Sequence, residues 1–227
     1  MNAKISEPKK FMPIGLVSMI LVFAGCATAR SQEMELFNGK DFTGWAFFMR
    51  SNSVPEKTWS ITNGVIHCVG KPVGYLRTEK SYQDYKLTVE WRFVKVVRHA
   101  DNTGILIHMQ LPDKIWPKCI ECQGQSKKQG DFWLQAGATA SGYPDTGKRN
   151  IHVPMTGPAN EKPVGEWNTY QIIARGKTVE TIVNGRPMNK IADCSVASGF
   201  IGIQSEGAEI EIRKIQLEPL QSVPMEK

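Results

Sequence analysis

Between Tyr85 and Gln135 the chain repeatedly alternates apolar and polar residues with a period of two, the pattern of half-buried β-strands. In YKLTVEWRF, Leu87, Val89, Trp91 and Phe93 share one face, and Lys86, Thr88, Glu90 and Arg92 share the other. In the next run Ile105, Ile107 and Met109 oppose Gly104, Leu106, His108 and Gln110. In CIECQG, Ile120 and Cys122 oppose Cys119, Glu121 and Gln123. If the apolar faces line one core, Glu90, Arg92, His108, Glu121 and Gln123 gather on the opposite face. Two carboxylates, an imidazole, a guanidinium and an amide on neighbouring strands suit a polar ligand the size of a sugar.

The rest of the chain extends the same pattern. Trp59 to His67 reads as a hairpin with Asn63-Gly64 at its turn. Tyr75 to Thr78 is a further short strand. Glu166 to Met188 supplies two strands around Gly176 and a second Asn-Gly, Asn184-Gly185. Phe200 to Ser205 and Ile210 to Leu217 close the domain. In the last strand the apolar parity shifts from Ile210 and Ile212 to Ile215 and Leu217, which predicts a bulge near Arg213-Lys214. No convincing amphipathic helix follows the first 25 residues, so the fold class is all-β, an antiparallel sandwich or barrel. Trp45, Trp59, Trp91, Phe93 and Trp167 are expected in the core, and only one of Phe132 and Trp133 can be. The Gly-, Pro-, Thr- and Asn-rich stretch 136–163 is expected to border the polar face.

The N-terminus reads as an export signal over residues 1–25. Lys4, Lys9 and Lys10 precede an apolar run, Phe11 to Gly25, that is too short to span a membrane as a helix. Phe23-Ala24-Gly25-Cys26 resembles a bacterial lipoprotein box, with Cys26 as the lipidated residue; the alternative is an ordinary secretory signal cleaved near Ala27 or Ala29. Residues 26–34 form a tether, 35–219 one domain and 220–227 a tail. This implies an exported protein, anchored in the bacterial cell envelope through Cys26. Removing residues 1–25 takes away three lysines and one glutamate, so the net charge falls from +6 to +4. That mild balance, without a basic stripe, argues against nucleic acid as a partner.

Cys68, Cys119, Cys122 and Cys194 are too few for a disulfide scaffold. Cys119 and Cys122 have CxxC spacing, but positions three apart on a strand face opposite ways, and no second ligand pair completes a metal site. Cys122 reads as a core residue. Nothing in the sequence requires a cofactor. A divalent cation such as calcium is compatible with the acidic residues, although no loop spells a calcium motif.

Several segments occur together in order: ELFNGKDFTGW, EWRF followed by NTGI, Glu121-x-Gln123, KPVGEWNTYQI, VNG and GFIGIQSEG. As a set they resemble the bacterial 3-keto-disaccharide hydrolase family, over about Glu35 to Glu218. The resemblance implies a concanavalin A/laminin-G-like jelly roll with a concave, carbohydrate-facing sheet. It also implies cleavage of glycosides whose sugar is oxidised at C3, with carbohydrate as the partner. A C3 ketone acidifies the C2 proton, so the reaction needs a base, a group for the enolate oxygen and an acid for the leaving oxygen. Glu121 or His108 is the candidate base, Arg92 or Gln123 the candidate oxyanion stabiliser, and Glu90 a proton donor or positioning group. Trp133 or Tyr143 is a candidate stacking ring, and Gln204 in the closing motif a candidate substrate-binding residue. Many relatives carry His where this chain has Glu206, and an aromatic residue or His in the strand before the Asn184-Gly185 turn. The competing function is a non-catalytic carbohydrate-binding lipoprotein module.

Overall fold

The computed structural model describes Met1 and residues 32–50, 53–95, 102–147 and 150–221. The export signal and Cys26 lie outside the described residues. Fifteen strands are found among those described: β1 (Met34–Glu35), β2 (Trp45–Met49), β3 (Trp59–Thr62), β4 (Val65–Cys68), β5 (Gly74–Thr78), β6 (Tyr85–Phe93), β7 (Gly104–Met109), β8 (Cys119–Gln123), β9 (Phe132–Gln135), β10 (Asn150–Val153), β11 (Asn168–Arg175), β12 (Thr178–Val183), β13 (Arg186–Ile191), β14 (Phe200–Ser205) and β15 (Ile210–Pro219). A single turn of 3-10 helix, Pro55–Lys57, precedes β3.

The strands form two antiparallel sheets. Sheet A runs β13-β12-β11-β6-β15-β4-β3, with β1 paired to the far half of β15; sheet B runs β10-β9-β8-β7-β14-β5-β2. This is the all-β, concanavalin-like jelly roll expected from the sequence. Asn63 and Asn184 take positive φ (52° and 49°), as do Gly64 and Gly185 (76° and 81°). Only primed turns use that pair of conformations, and their twist matches the strands they join. The predicted bulge in the last strand is present: Ile212 pairs Trp91 and Lys214 pairs Glu90, leaving Arg213 as the extra residue. It returns Ile215 and Leu217 to the interior, where both are buried.

One core fills the space between the sheets. Sheet A contributes Leu87, Val89, Trp91, Phe93, Ile172 and Ile215, and sheet B contributes Ile105, Ile107, Ile120, Cys122, Phe132 and Leu134. A second, smaller cluster lies on the outer face of sheet B: Tyr75, Leu106, Met109 and Cys119, with Phe48 and Phe200 against it. Cys119 and Cys122 thus lie in separate clusters, and all four described cysteines are buried and unpaired. Trp45 and Trp59 are core residues as expected. Trp167 is not; it is half-buried, with the guanidiniums of Arg92 and Arg213 each 4.5 Å from its ring centre.

Two strands went unread in the sequence. β13 contains Pro187 and pairs β12 across a register shift, so it lacks clean alternation. The edge strand β10 lies inside the Gly/Pro-rich stretch, and it does border the polar face, through Asn150.

Candidate functional site

The polar residues expected on one face are divided between two sheets. Glu90 and Arg92 stand on β6, in sheet A, with their side chains on the outer face. Glu90 accepts a hydrogen bond from Arg213 Nε at 2.7 Å, and Arg92 pairs with Glu211 at 2.6 Å and donates to the Gly165 carbonyl. Both are surface ion pairs remote from Glu121, which corrects their assignment to a common site.

His108 is displaced for a different reason. It has a positive φ of 52°, and β7 carries one more residue than β14 between Phe200–Met109 and Gly202–Leu106. The bulge turns Met109 outward into the small cluster and sends His108 inward. There the ring meets Tyr85 edge-on at 5.8 Å and Nδ1 lies 3.1 Å from the Val196 carbonyl. Burial lowers its pKa to about 4. His108 is therefore a neutral core side chain, out of reach of a ligand on the outer face. Tyr143 packs against the main core and is not among the residues that line the cleft described next.

The remaining candidates converge on the outer face of sheet B. An open cleft of about 220 Å³ is lined by Glu121, Gln123, Trp133, Gln135, Asn102, Asn150 and Glu206, with Trp116 and Gln125 at loop positions. Cross-strand register explains the grouping. Glu121 faces Trp133 on β9 and Leu106 on β7, while Gln123 faces Gly104. Gln204 on β14 completes that row, beside Gly104. Gly104 is needed as the floor: a Cβ there would fall 2.5 Å from Gln204 Oε1 and 3.0 Å from both Cγ and Oε1 of Glu121. The two long side chains lean over the space that the missing side chain leaves.

Glu121 is 2% exposed, and Gln135 Nε2 donates a short hydrogen bond to its Oε2. Burial, and after it the charge of Glu206, raises its pKa to about 8, while the Gln135 donor acts the other way. Burial also raises the Glu206 carboxyl, against the Asn102 N–H (3.1 Å) and the Arg50 guanidinium, which favour its ionised form. The two acids therefore differ: among the described residues Glu206 has a donor and a cation for its charge, whereas Glu121 has one amide. Gln123 Oε1 accepts the backbone N–H groups of Gly124 (2.8 Å) and Gln125 (2.9 Å), which fixes the amide at the edge of the cleft. The side-chain carbonyls of Gln135, Gln204 and Asn102 are buried and accept no hydrogen bond from any described residue. A ligand rich in hydroxyl donors would satisfy those of Gln135 and Asn102.

Each of the two tryptophans packs against a basic side chain. Trp133 stacks on His152 at 4.6 Å, and His152 Nε2 lies 2.7 Å from Asp131 Oδ2. Trp116 sits on the β7–β8 loop, beneath the Arg50 guanidinium at 5.4 Å. Asp113 of that loop takes a two-pronged hydrogen bond from Arg77 and a third from the Tyr75 hydroxyl, all at 2.8 Å. The same loop covers the small apolar cluster, so one end of the sheet face is filled and the other is open.

Of these residues, Gln135 had no role assigned from the sequence; it shares the parity of Trp133, which alternation alone leaves undecided. Glu206 stood in the closing motif without an assigned role. Asn102, Asn150, Trp116 and Gln125 lie at strand ends or in loops, where no period marks them. Among the described residues no group of three or more His, Cys, Asp and Glu side chains converges as a metal site.

A jelly roll whose outer sheet face carries tryptophans, amides and two carboxylates defines a carbohydrate-active protein. The chain belongs to the 3-keto-disaccharide hydrolase family, since residues 32–218 match the 3-keto-alpha-glucoside-1,2-lyase-like domain. Among solved structures, a candidate glycosyl hydrolase from Parabacteroides distasonis is 21% identical, with a TM-score of 0.62 over 83% of this chain and 94% of that one. The carbohydrate-binding module CBM66 from Bacillus subtilis is 12% identical (TM-score 0.54, 77% of this chain and 95% of that one). A β-glucanase from Bacillus licheniformis is 14% identical (TM-score 0.55, 86% and 100%). At these identities the likeness is one of fold. Comparison with curated proteins finds no match.

Proposed function

We propose that this protein is an exported, envelope-anchored enzyme that cleaves 3-keto-glycosides by elimination across C1 and C2, followed by hydration. The observation that carries this reading is the pair Glu121 and Glu206, two desolvated carboxylates in one tryptophan-walled cleft with unlike surroundings. Elimination requires one group to accept a proton and another to donate one, and unlike surroundings divide those tasks.

Glu206, whose charge Asn102 and Arg50 support, takes the C2 proton. The electron pair spreads onto the C3 oxygen, and the amide N–H of Gln123 serves that enolate, since Gln123 Oε1 is already engaged by the backbone. The pair then forms the C1–C2 double bond, the C1–O bond breaks, and the leaving oxygen takes the proton of Glu121. Water adds next: its oxygen bonds C1, Glu121 accepts its proton, and Glu206 returns a proton to C2. The sum is hydrolysis, with both carboxyls restored. Trp133 and Trp116 supply stacking surfaces for the sugar and its aglycone.

The test is release of a chromogenic aglycone from a 3-keto-glucoside, beside the unoxidised glucoside, with the Glu121→Gln and Glu206→Gln variants. Release from the keto substrate alone, lost in both variants, supports the reading. Release from the unoxidised glucoside would replace it with ordinary two-carboxylate hydrolysis. Saturable glycan binding without release would make the protein a carbohydrate-binding module.

A further inference from the structure

We propose that Gln204 is the residue that keeps the proton on Glu121, its side-chain carbonyl accepting a hydrogen bond from the carboxyl O–H. The observation is a meeting of two acceptors. Gln204 Oε1 is buried and has no donor among the described residues, and it leans over Gly104 toward Glu121 Oε1. The two oxygens lie 2.5 and 3.0 Å from the same point, the place a Cβ of residue 104 would occupy. The other oxygen of Glu121 is already taken by Gln135 Nε2. An amide carbonyl next to an ionised carboxylate would leave two lone pairs facing one another in a dry site. Next to a carboxylic acid, the same carbonyl receives a hydrogen bond, and both groups are satisfied.

The surroundings agree. The groups around Glu121 are Gln135 and Trp133 on β9, Gly104 on β7, Cys119 two residues away on its own strand, and Glu206 beyond β14. Among the described residues no cation is paired with it; Arg50 acts on Glu206, and His152 stacks on Trp133. The raised titration of Glu121 is what this arrangement requires. In this arrangement Gln204 acts through Glu121 rather than on the reacting atoms, so it is a positioning residue. It selects the acid form that donates to the leaving oxygen. This inference rests on the role given above to Glu121, but it can be tested without turnover.

The experiment is a carbon-13 titration of the Glu121 side-chain carboxyl in the ligand-free protein, assigned with Glu121→Gln. It compares wild type with Gln204→Met, which keeps length and removes the acceptor, and with Gly104→Ala, whose methyl pushes the two side chains apart. The Glu121 midpoint is expected near pH 8 in the wild type. It should move down by about one pH unit in each variant, the size of one lost hydrogen bond. The alkaline limb of the activity profile should move with it. An unmoved midpoint overturns the proposal. So does a midpoint that rises, because Gln204 would then be donating its amide N–H to a carboxylate. A wild type that titrates as expected but cleaves no keto-glycoside removes the proposed function and leaves the Gln204–Glu121 bond standing.

Discussion

The outer faces of the two sheets are built from the same kinds of residue and come to opposite ends. On sheet A, Glu90 meets Arg213, Arg92 meets Glu211, and Lys86 meets Glu218, all at least partly exposed. Each of these charges has its partner within the sheet. On sheet B, Glu121 is buried and Glu206 half-buried in one cleft, where among the described residues Glu121 meets an amide rather than a cation and the side-chain carbonyls of Gln135 and Asn102 are unpartnered. The difference lies in which neighbour each carboxylate finds across the strand: Lys214 opposite Glu90 and Arg92 opposite Glu211 in one sheet, Trp133 and Leu106 opposite Glu121 in the other. A carboxylate satisfied by an exposed arginine is a surface ion pair of small energy; one denied a cation keeps its proton and can do chemistry.

The largest expected effect tests that contrast directly. Glu121→Gln should lower turnover of a 3-keto-glycoside by roughly 10²–10⁴-fold, the usual contribution of a positioned acid or base, while Glu90→Gln leaves it unchanged. Equal losses in the two variants, measured as initial rates, would erase the distinction between the faces. Next in size is Trp133→Ala, which should weaken glycan binding by roughly 2–13-fold through a lost stacking surface, seen by calorimetry.

A third effect is on stability. The folded pKa of Glu121 lies above its ordinary value of 4.5, at about 8, so the folded protein binds a proton there that the unfolded chain releases sooner. Stability relative to acid pH should therefore fall as pH rises from about 4.5 to about 8, then level off. Glu121→Gln should remove this loss and melt several degrees above wild type at pH 8 but not at pH 4.5, since about 1 kcal/mol moves Tm by roughly 2–4 °C in a domain of this size. A difference independent of pH would show that Glu121 is ionised in the folded state. The smallest effect is expected from Arg213→Ala on sheet A: less than about 1 kcal/mol by denaturant unfolding, and sensitive to salt.

How far the site was legible follows from how regular each strand is. On β8, alternation correctly separates Ile120 and Cys122 from Glu121 and Gln123. On β9 it leaves Phe132 and Trp133 undecided; the sandwich puts Phe132 in the core and Trp133 at the cleft. On β7 the same rule fails at His108, because one extra residue reverses the parity, and a sequence carries no mark of a bulge whose partner strand lies nearly a hundred residues away. In β15 the bulge was legible, because apolar residues resume on the other parity within the same strand. Glu90 and Arg92 were placed correctly on a polar face, but on the wrong sheet.

Local pattern therefore determined most of the strands, most of their inward faces and the Asn-Gly turns. These depend on side chains within a few residues of one another, and alternation and turn chemistry act at that range. Only the tertiary structure decided which strands became neighbours, and with that which polar faces met. β6 joined β11 and β15, while β8 joined β7 and β9. The first pairing surrounds Glu90 with arginine; the second surrounds Glu121 with tryptophan, amide and the floor at Gly104. The protonation of a carboxylate depends on what stands within a few ångströms of it in space, and strand pairing sets that across long sequence separations.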